Sequence, residues 1–200
     1  MSTKPANRLL LIDGSGYIFR AFFALPPMTR PDGTPVNAVF GFTNMLFRFL
    51  QDRPDDDIVV VFDKGSHTFR NDLYADYKAN RDEPPKELVP QFQLVREAAR
   101  AFDLPVVETE GFEADDLIAS YARAARAAGR EVTVVSSDKD LMQLVGDGIA
   151  MWDPMKGKAI GREEVIERFG VGPEHVRDVL ALAGDSSDNV PGVPGIGVKT

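Results

Sequence analysis

The segment Arg8-Leu-Leu-Leu-Ile-Asp13 is an apolar run that ends directly in a carboxylate. Because the run is apolar without alternation, it predicts a strand that is buried on both faces, as strands of parallel sheets are. Two further runs end in the same way: 58–62 precedes Asp63, and 131–137 precedes Asp138. If all three runs contain parallel strands, their aspartates lie at one edge of one sheet, where open α/β sheets place their functional sites.

Helical patterns alternate with these strands along the first 160 residues. Apolar residues recur at helical spacing over three stretches, and shorter apolar runs predict two more strands and one helical turn. Repeated strand–helix units indicate an α/β fold with a mainly parallel central sheet flanked by helices. The predicted helices cover 37–51, 86–102 and 113–128, the additional strands cover 105–108 and 149–152, and the turn covers 141–145.

The pattern changes after about residue 160. Helical segments at 162–169 and 173–183 follow one another, and a loop rich in glycine and proline then extends over 184–197. The sequence therefore predicts an α/β core over 1–160 and the start of a separate helical element over 161–200.

Nine carboxylates stand at strand ends or in short clusters. Two unit charges roughly 4 Å apart repel by about 4 kcal/mol at an effective dielectric of about 20, so many acids at one sheet edge call for a cation among them. Oxygen-only ligands favour Mg²⁺ or Mn²⁺, and the pattern therefore predicts a metal-dependent phosphoryl-transfer site. The nine candidate ligands are Asp13, Asp63, Glu113, Asp115, Asp116, Asp138, Asp140, Asp185 and Asp188.

Each cluster taken alone has a simpler explanation. Acids in the first turn of the helix at 113 complement the helix dipole. Ser136-Ser-Asp-Lys-Asp140 suits an N-cap and loop, and Asp185-Ser-Ser-Asp188 suits an Asx turn after a helix. Capping and turns can explain one cluster, but they do not explain three strand-end aspartates and three clusters together. The combination therefore favours the metal site.

The net charge of −8 does not exclude a nucleic-acid partner. Of 31 acidic residues, nine belong to the predicted site, and the remaining 22 face 23 lysines and arginines. The chain has no cysteine, which excludes disulfides and thiolate metal sites and is consistent with a reducing cytosol. No apolar stretch reaches the length of a membrane span, so we expect a cytoplasmic protein without a membrane partner.

A basic segment, defined as residues 68–81, lies between the second strand and the next helix. It contains Arg70, Lys78 and Arg81. On a helix, Lys78 and Arg81 share a face, where they would hold a phosphodiester against the carboxylates, with Tyr77 free to stack on a base. A solvated helix with ordinary ion pairs is the simpler alternative, and the segment alone does not exclude it.

The loop Pro191-Gly-Val-Pro-Gly-Ile-Gly197 would offer the backbone N–H groups of Gly195 and Gly197 to a DNA phosphate. A purely structural turn explains the same residues. Neither a P-loop nor a G-x-G-x-x-G motif occurs in the chain, which disfavours nucleotide-cofactor folds.

Taken in order, these segments resemble the 5′-nuclease domain at the N-terminus of bacterial DNA polymerase I, a family related to the flap endonucleases. The resemblance spans residues 10–197. Ser137 departs from the family pattern, in which glycine is common, and we expect this change to be tolerated. The segments that carry the resemblance are Leu10-Leu-Ile-Asp-Gly-Ser-Gly16, Val61-Phe-Asp63, Tyr77-Lys-Ala-Asn-Arg81, Glu113-Ala-Asp-Asp116, Ser137-Asp-Lys-Asp140 and Gly184-Asp-Ser-Ser-Asp-Asn-Val-Pro-Gly-Val-Pro-Gly-Ile-Gly197.

The resemblance implies a PIN-like 5′-nuclease fold and hydrolysis of DNA from the 5′ side, at nicks and 5′ flaps, in primer removal and DNA repair. It also implies two divalent ions, Mg²⁺ or Mn²⁺, one lowering the pKa of the attacking water and the other stabilising the leaving 3′ oxygen. One ion group would use Asp13, Asp63, Glu113, Asp115 and Asp116 with Asp138 nearby, and the second would use Asp140, Asp185 and Asp188.

For DNA, the resemblance assigns Lys78 and Arg81 to the scissile phosphate and Arg20 to the 5′ end of the strand. It implies that 192–197 form the hairpin of a helix-3-turn-helix element, which grips duplex DNA and, in relatives, binds a monovalent cation such as K⁺. The residues predicted to contact DNA are Tyr77, Arg70, Gly192, Gly195, Gly197 and Lys199.

The same resemblance sets expectations beyond the site. The chain stops at Thr200, where the second helix of the hairpin element should begin, so we expect that element to be incomplete. We also expect a monomer in the bacterial cytoplasm, associated with the nucleoid and followed by polymerase domains in the full-length protein. Two other functions stay open: a non-catalytic, structure-specific DNA-binding module, and a PIN-type RNA nuclease. Members of the PIN class usually lack the Asp185-Ser-Ser-Asp188 segment and the glycine-rich hairpin.

Overall fold

The computed structural model describes residues 7–198. Within them, one six-stranded sheet consists of β1 (Arg8–Asp13), β2 (Asp57–Val61), β3 (Val106–Val107), β4 (Glu131–Val135), β5 (Ile149–Asp153) and β6 (Lys158–Ile160). The strand order is β3-β2-β1-β4-β5-β6. The first five strands are parallel, and β6 runs antiparallel to β5.

Strand β1 lies in the middle of the sheet, as its apolar sequence predicts. Leu10, Leu11 and Ile12 are fully buried because both faces of the strand are covered. Ile12 lies opposite Val60 of β2 and Val135 of β4. The carboxyl ends of β1, β2 and β4 are therefore side by side, and the predicted α/β fold class is confirmed.

Helices cover both faces of the sheet. Buried side chains of the first, second and fourth helices pack on one face, and those of the last three pack on the other. The helices are α1 (Gly14–Ala24), α2 (Asn37–Asp52), α3 (Phe69–Leu73), α4 (Val89–Ala101), α5 (Ala114–Ala127), α6 (Arg162–Phe169) and α7 (Val176–Ala183), with 3₁₀ turns at Asp140–Leu144 and Pro173–His175.

The segment beyond residue 160 packs directly on this core. Val165, Phe169 and Val176 lie in the same buried cluster as the apolar face of α5. The division into a nuclease core over 1–160 and a DNA-binding element over 161–200 stays a prediction about their roles. None of the helices between residues 7 and 198 combines the length and apolar character needed to cross a bilayer.

Several elements differ from the sequence prediction. The prediction does not include α1, α3 or β6. Helix α1 begins in Gly14-Ser-Gly16, which has the composition of a loop, and it is started by Asp13, whose carboxylate accepts the Gly16 N–H. The helix predicted at 86–102 begins only at Val89. The helix predicted at 173–183 begins as a 3₁₀ turn over Pro173–His175, and its α-helical part starts only at Val176.

Candidate metal centre and nucleic-acid interface

Four aspartates, Asp13, Asp63, Asp115 and Asp138, form what we call the four-aspartate group at the carboxyl edge of the sheet. Asp13 ends β1 and is buried. Its Oδ2 accepts a hydrogen bond from Ser136 Oγ at 2.8 Å. The same Ser136 hydroxyl oxygen accepts the Asp138 N–H at 3.0 Å, so one serine side chain fixes two of the four aspartates relative to each other.

Asp63 ties the end of β2 to the start of α5. Its Oδ1 accepts the N–H of Ala114 at 2.7 Å, and its own N–H donates to Ser15 Oγ at 2.8 Å. Arg96 donates to the Asp63 carbonyl oxygen at 2.7 Å. These bonds hold the first turn of α5, and with it Asp115, against the strand ends.

The carboxylates of this group interact with one another electrostatically. The pKa of Asp13 is raised to about 6, mainly by burial and also by the charges of Asp63 and Asp138, against the hydrogen bonds from Gly16 and Ser136. Burial also raises the pKa of Asp115 well above its usual value, and Asp13, Asp138 and Asp63 add to that rise. A divalent cation among these oxygens would remove this mutual repulsion.

The other acids of α5 point to the basic segment. Asp116 accepts two hydrogen bonds from the Arg70 guanidinium, at 2.8 and 2.7 Å. Although burial opposes it, this pairing lowers the pKa of Asp116. Glu113 Oε1 accepts a bond from Lys78 Nζ at 2.8 Å. Adjacent acids thus face different partners because side chains one residue apart leave a helix about 100° apart, and the assignment of Glu113 and Asp116 as metal ligands stays a prediction.

Three more acids, Asp140, Asp185 and Asp188, form a second group that we call the three-aspartate cluster. One carboxylate oxygen from each lies within 4.8 Å of the others. The cluster adjoins the four-aspartate group, because Asp138 Oδ1 accepts the Asp140 N–H at 2.9 Å. Burial raises the pKa of Asp140, and the neighbouring charge of Asp138 contributes to that rise.

A closed loop presents two members of this cluster. Asp185 and Val190 exchange backbone hydrogen bonds of 2.8 Å in both directions. The loop ends approach so closely that a Cβ on Gly192 would lie 2.3 Å from the Ala183 carbonyl carbon, and one on Gly184 would lie 2.4 Å from the Gly192 nitrogen. Gly192 thus has a structural reason to be glycine, whatever its contact with DNA.

We expect Gly192→Ala to lower the free energy of unfolding by about 1–3 kcal/mol, because the added methyl group must displace backbone rather than a side chain. Urea denaturation of this variant measures the effect. Gly65→Ala is the matched control, since a Cβ on Gly65 meets nothing within 4 Å. Equal stability of the two variants would contradict this account of the loop.

The basic segment packs on this loop, and the helix on which Lys78 and Arg81 would share a face does not form. Residues 75–80 form turns, and Lys78 adopts a left-handed φ of 56°. The Lys78 N–H donates to the Asp188 carbonyl oxygen at 2.9 Å, and Asn189 Nδ2 donates to the Asp76 carbonyl oxygen at 2.7 Å. These long-range hydrogen bonds replace those that a helix would have made.

Lys78 and Arg81 nevertheless contact carboxylates of the site, and their action on a phosphate stays a prediction. Arg81 Nη2 lies 2.6 Å from Asp188 Oδ1, and Lys78 Nζ lies 3.8 Å from Asp188 Oδ2. Arg20 is exposed and lines a small cavity together with Asp13 and Asp138. The chain thus brings two cations to Asp188 and a third, Arg20, to a cavity beside Asp13 and Asp138.

The prediction that Tyr77 is free to stack on a base is wrong for this structure. Only 8% of its surface is exposed, and its hydroxyl donates towards Glu113 at 3.1 Å and Asp188 at 2.9 Å. Burial raises the pKa of Tyr77, and these two carboxylates raise it further. Tyr77 therefore joins the acids of α5 to the loop instead of presenting its ring to solvent.

The remaining residues predicted to contact DNA lie near the end of the chain. Gly195 is exposed, with a left-handed φ of 82°, and Gly197 is also exposed. Lys199 lies outside the described residues. Contact of these residues with DNA stays a prediction.

Sequence reasoning missed several residues that shape the site, among them Ser15, Ser136, Arg96 and Lys139. Lys139 stands between two predicted ligands in the sequence, and that position could have identified it. The serines and Arg96 gave no such signal, because their roles depend on partners far away in the chain. The donor set as a whole consists of carboxylate oxygens, which fits Mg²⁺ or Mn²⁺ and disfavours softer metals.

Known proteins are similar to this chain over most of its length. Residues 8–170 match the family model described as 5′-3′ exonuclease, N-terminal resolvase-like domain. DNA polymerase I of Rhizobium leguminosarum is 59% identical over 205 residues, a match that covers 98% of this chain and 20% of that protein. A 5′-3′ exonuclease of Aquifex aeolicus is 42% identical over 192 residues, which covers 96% of this chain and 66% of that protein.

Solved structures show the same fold. Zinc-bound T5 5′-exonuclease superposes with a TM-score of 0.78 at 24% identity, covering 96% of this chain and 72% of that one. The T5 D15 flap endonuclease, in a pseudo-enzyme-product complex with DNA and metal ions, superposes with a TM-score of 0.78 at 25% identity over the same shares. The chain spans about a fifth of the length of its DNA polymerase I relatives. By its family match and its relatives, the chain belongs to the 5′-3′ exonuclease family.

Proposed function

We propose that this chain carries the active site of a divalent-metal-dependent 5′-3′ exonuclease and flap endonuclease acting on DNA. The observation that supports this proposal most directly is the contact between the two acidic groups, where Asp138 Oδ1 accepts the Asp140 N–H at 2.9 Å. Seven aspartates thereby surround one edge of the sheet, and Lys78 and Arg81 of the basic segment adjoin them. Membership of the 5′-3′ exonuclease family supports this proposal.

In this proposal the four-aspartate group and the three-aspartate cluster each hold an ion, with Mg²⁺ or Mn²⁺ as the natural choices for oxygen ligands. When bound, the ions supply an activated water and stabilise the leaving 3′ oxygen. The chain itself supplies rigid ligands: Ser136 and Ala114 hold Asp13 and Asp63 through hydrogen bonds of 2.8 and 2.7 Å. Preorganised ligands lose little conformational entropy when an ion binds.

Lys78 and Arg81 would neutralise charge on the phosphate being cleaved. Both now contact carboxylates, with Lys78 Nζ 2.8 Å from Glu113 and Arg81 Nη2 2.6 Å from Asp188. A DNA phosphate that enters between Lys78 and Arg81 would replace these carboxylates as their anionic partner. The two side chains would then need to move only a little. Arg20 lies on the Asp13 side, where the 5′ end of the strand would bind.

The wider biological role is part of the same proposal. Relatives named DNA polymerase I are about five times as long as this chain, which supports polymerase domains elsewhere in the full-length protein and a role in primer removal and repair. DNA as substrate is supported by the T5 flap endonuclease complex. The exposed Gly195 turn is the proposed position of duplex contact and of a K⁺ ion.

A cleavage assay tests the proposal. The chain is incubated with a 5′-flap DNA duplex and, separately, with single-stranded RNA, in Mg²⁺ or in EDTA. Cleavage at the flap base that EDTA abolishes is the expected result. Preferred cleavage of RNA would indicate a PIN-type nuclease instead. Flap binding without cleavage, also in a longer chain that includes the region its relatives have beyond residue 200, would indicate a binding module.

We expect Lys78→Ala to slow cleavage by roughly ten- to a thousandfold with little change in duplex affinity, because the ammonium acts on charge that develops during the reaction. Single-turnover kinetics and a binding titration in Ca²⁺ separate the two quantities. Lys86→Ala, a lysine outside the basic segment, serves as the control. A loss of affinity with an unchanged cleavage rate would place Lys78 in duplex binding.

A further inference from the structure

Lys139 lies inside the three-aspartate cluster, where its side chain contacts two of the three acids. Its Nζ lies 3.1 Å from Asp140 Oδ1 and also contacts Asp185 Oδ2. Ser187 Oγ lies 3.2 Å away on the third side. An ammonium has no acceptor atom, so it cannot join a metal's ligands and can only compete for the same oxygens.

The backbone fixes this lysine in place. Asp138 Oδ1 accepts the N–H of Asp140 and so starts the 3₁₀ turn directly after Lys139. On the opposite side, Asp185 Oδ1 accepts the Ser187 N–H at 2.9 Å, which holds the loop that receives the ammonium. Only 24% of the Lys139 side chain is exposed, so its charge acts on the cluster through little intervening water.

The two acidic groups differ in this respect. Lys139 pairs directly with Asp140 and Asp185 of the three-aspartate cluster, and Arg81 lies 2.6 Å from its third member, Asp188. Lys78, the lysine beside the four-aspartate group, pairs instead with Glu113 at 2.8 Å, which is not a member of that group. Divalent ions therefore compete with bound cations at the three-aspartate cluster, chiefly with Lys139, which contacts two of its three acids.

We propose that Lys139 is a built-in counter-ion that lowers the divalent-ion affinity of the three-aspartate cluster, so that the two groups fill with distinct affinities. The inference rests on the proposed metal-dependent function. It makes Lys139 a positioning residue for the second ion. An ion at the cluster must displace the ammonium from Asp140 and Asp185, and the released charge is then adjacent to the DNA phosphate.

The test uses Lys139→Met, which keeps the length of the side chain and removes its charge. Mn²⁺ titration by calorimetry is carried out in an Asp115→Asn background, which weakens the four-aspartate group. We expect Mn²⁺ to bind the cluster roughly tenfold more tightly or better in Lys139→Met, and the metal-free variant to melt at a lower temperature. Lys139→Arg should retain the original affinity. Lys156→Met is the control, because Lys156 lies 4.0 Å from the single carboxylate of Asp153.

The outcomes separate this inference from the proposed function. A purely structural lysine would, on removal, lower both the Mn²⁺ affinity and the melting temperature, and that result or an unchanged affinity overturns the counter-ion role. If the original chain binds Mn²⁺ at both groups and only the Lys139→Met affinity gain is missing, the metal-dependent function stands without it. If the original chain binds no Mn²⁺, both proposals fail.

Discussion

Asp63→Asn is expected to lower metal-dependent cleavage of a 5′-flap duplex by roughly two to three orders of magnitude while the fold remains intact. The structure explains why activity and folding separate at this residue. Asp63 Oδ1 accepts the Ala114 N–H at 2.7 Å, and an asparagine carbonyl oxygen can accept the same bond. The second carboxylate oxygen becomes an NH₂ group, which cannot ligate a cation.

Steady-state cleavage in Mg²⁺ and urea denaturation in EDTA measure the two effects. Asp147→Asn provides the control, because the Asp147 side chain is 97% exposed and contacts Arg126 at 3.7 Å, outside both acidic groups. Asp138→Ala should lose comparable activity, with an additional small loss of stability because Asp140 N–H loses its acceptor. Near-normal metal-dependent cleavage by Asp63→Asn and Asp138→Ala would refute the assignment of these ligands.

Asp13→Asn is expected to stabilise the metal-free chain at neutral pH. In the folded chain burial raises the pKa of Asp13 from 3.8 to about 6. Protonated Asp13 therefore contributes stability that is fully present below pH 3.8 and is lost as the pH rises through about 6. This pKa difference corresponds to about 3 kcal/mol of folding free energy. At pH 8 ionised Asp13 destabilises the folded chain by that amount relative to its protonated form, and an uncharged asparagine does not.

Asparagine also preserves the local bonds of Asp13. Its carbonyl oxygen can accept the Gly16 N–H, and its NH₂ group can donate to Ser136 Oγ, which now donates to Asp13 at 2.8 Å. Urea denaturation in EDTA should show the variant more stable at pH 8 and equal to the original chain near pH 4. Mg²⁺ should stabilise the original chain more than the variant. A variant that is less stable at pH 8 would show that the Asp13 charge is not costly in the folded chain.

The strands and the strand-end aspartates could be predicted from sequence because parallel topology links them. Once 8–12, 58–62 and 131–135 are recognised as buried parallel strands, the positions of Asp13, Asp63 and Asp138 follow from the geometry of the sheet. The two faces of α5 also follow from helical periodicity, which separates Asp115 from Asp116. These predictions require only local sequence patterns and the rule that the carboxyl ends of parallel strands lie at the same edge of a sheet.

The basic segment could not be predicted in this way. Its backbone is determined by hydrogen bonds to the loop that carries Asp188, a partner 111 residues from Tyr77. Periodicity reports local preference and contains no information about such a partner. The same reason explains why the stacking role predicted for Tyr77 was wrong. Its aromatic ring suggested stacking, but the hydrogen bonds of its hydroxyl to distant carboxylates determine its position. The pairing of Lys139 with Asp185 joins loops that are far apart in the chain, and only its position between Asp138 and Asp140 could have indicated its role.

The single hydroxyl of Ser136 that joins Asp13 to Asp138 also bears on how the chain matures. It connects residues 123 positions apart, and the Tyr77 bond to Asp188 connects residues 111 positions apart. Non-local contacts of this kind form late in folding because loop closure must precede them. During synthesis on the ribosome, the first strand therefore waits for much of the chain before its aspartate meets its partners. A nascent chain that ends before the last acidic loop lacks Asp185 and Asp188 and therefore cannot complete the three-aspartate cluster.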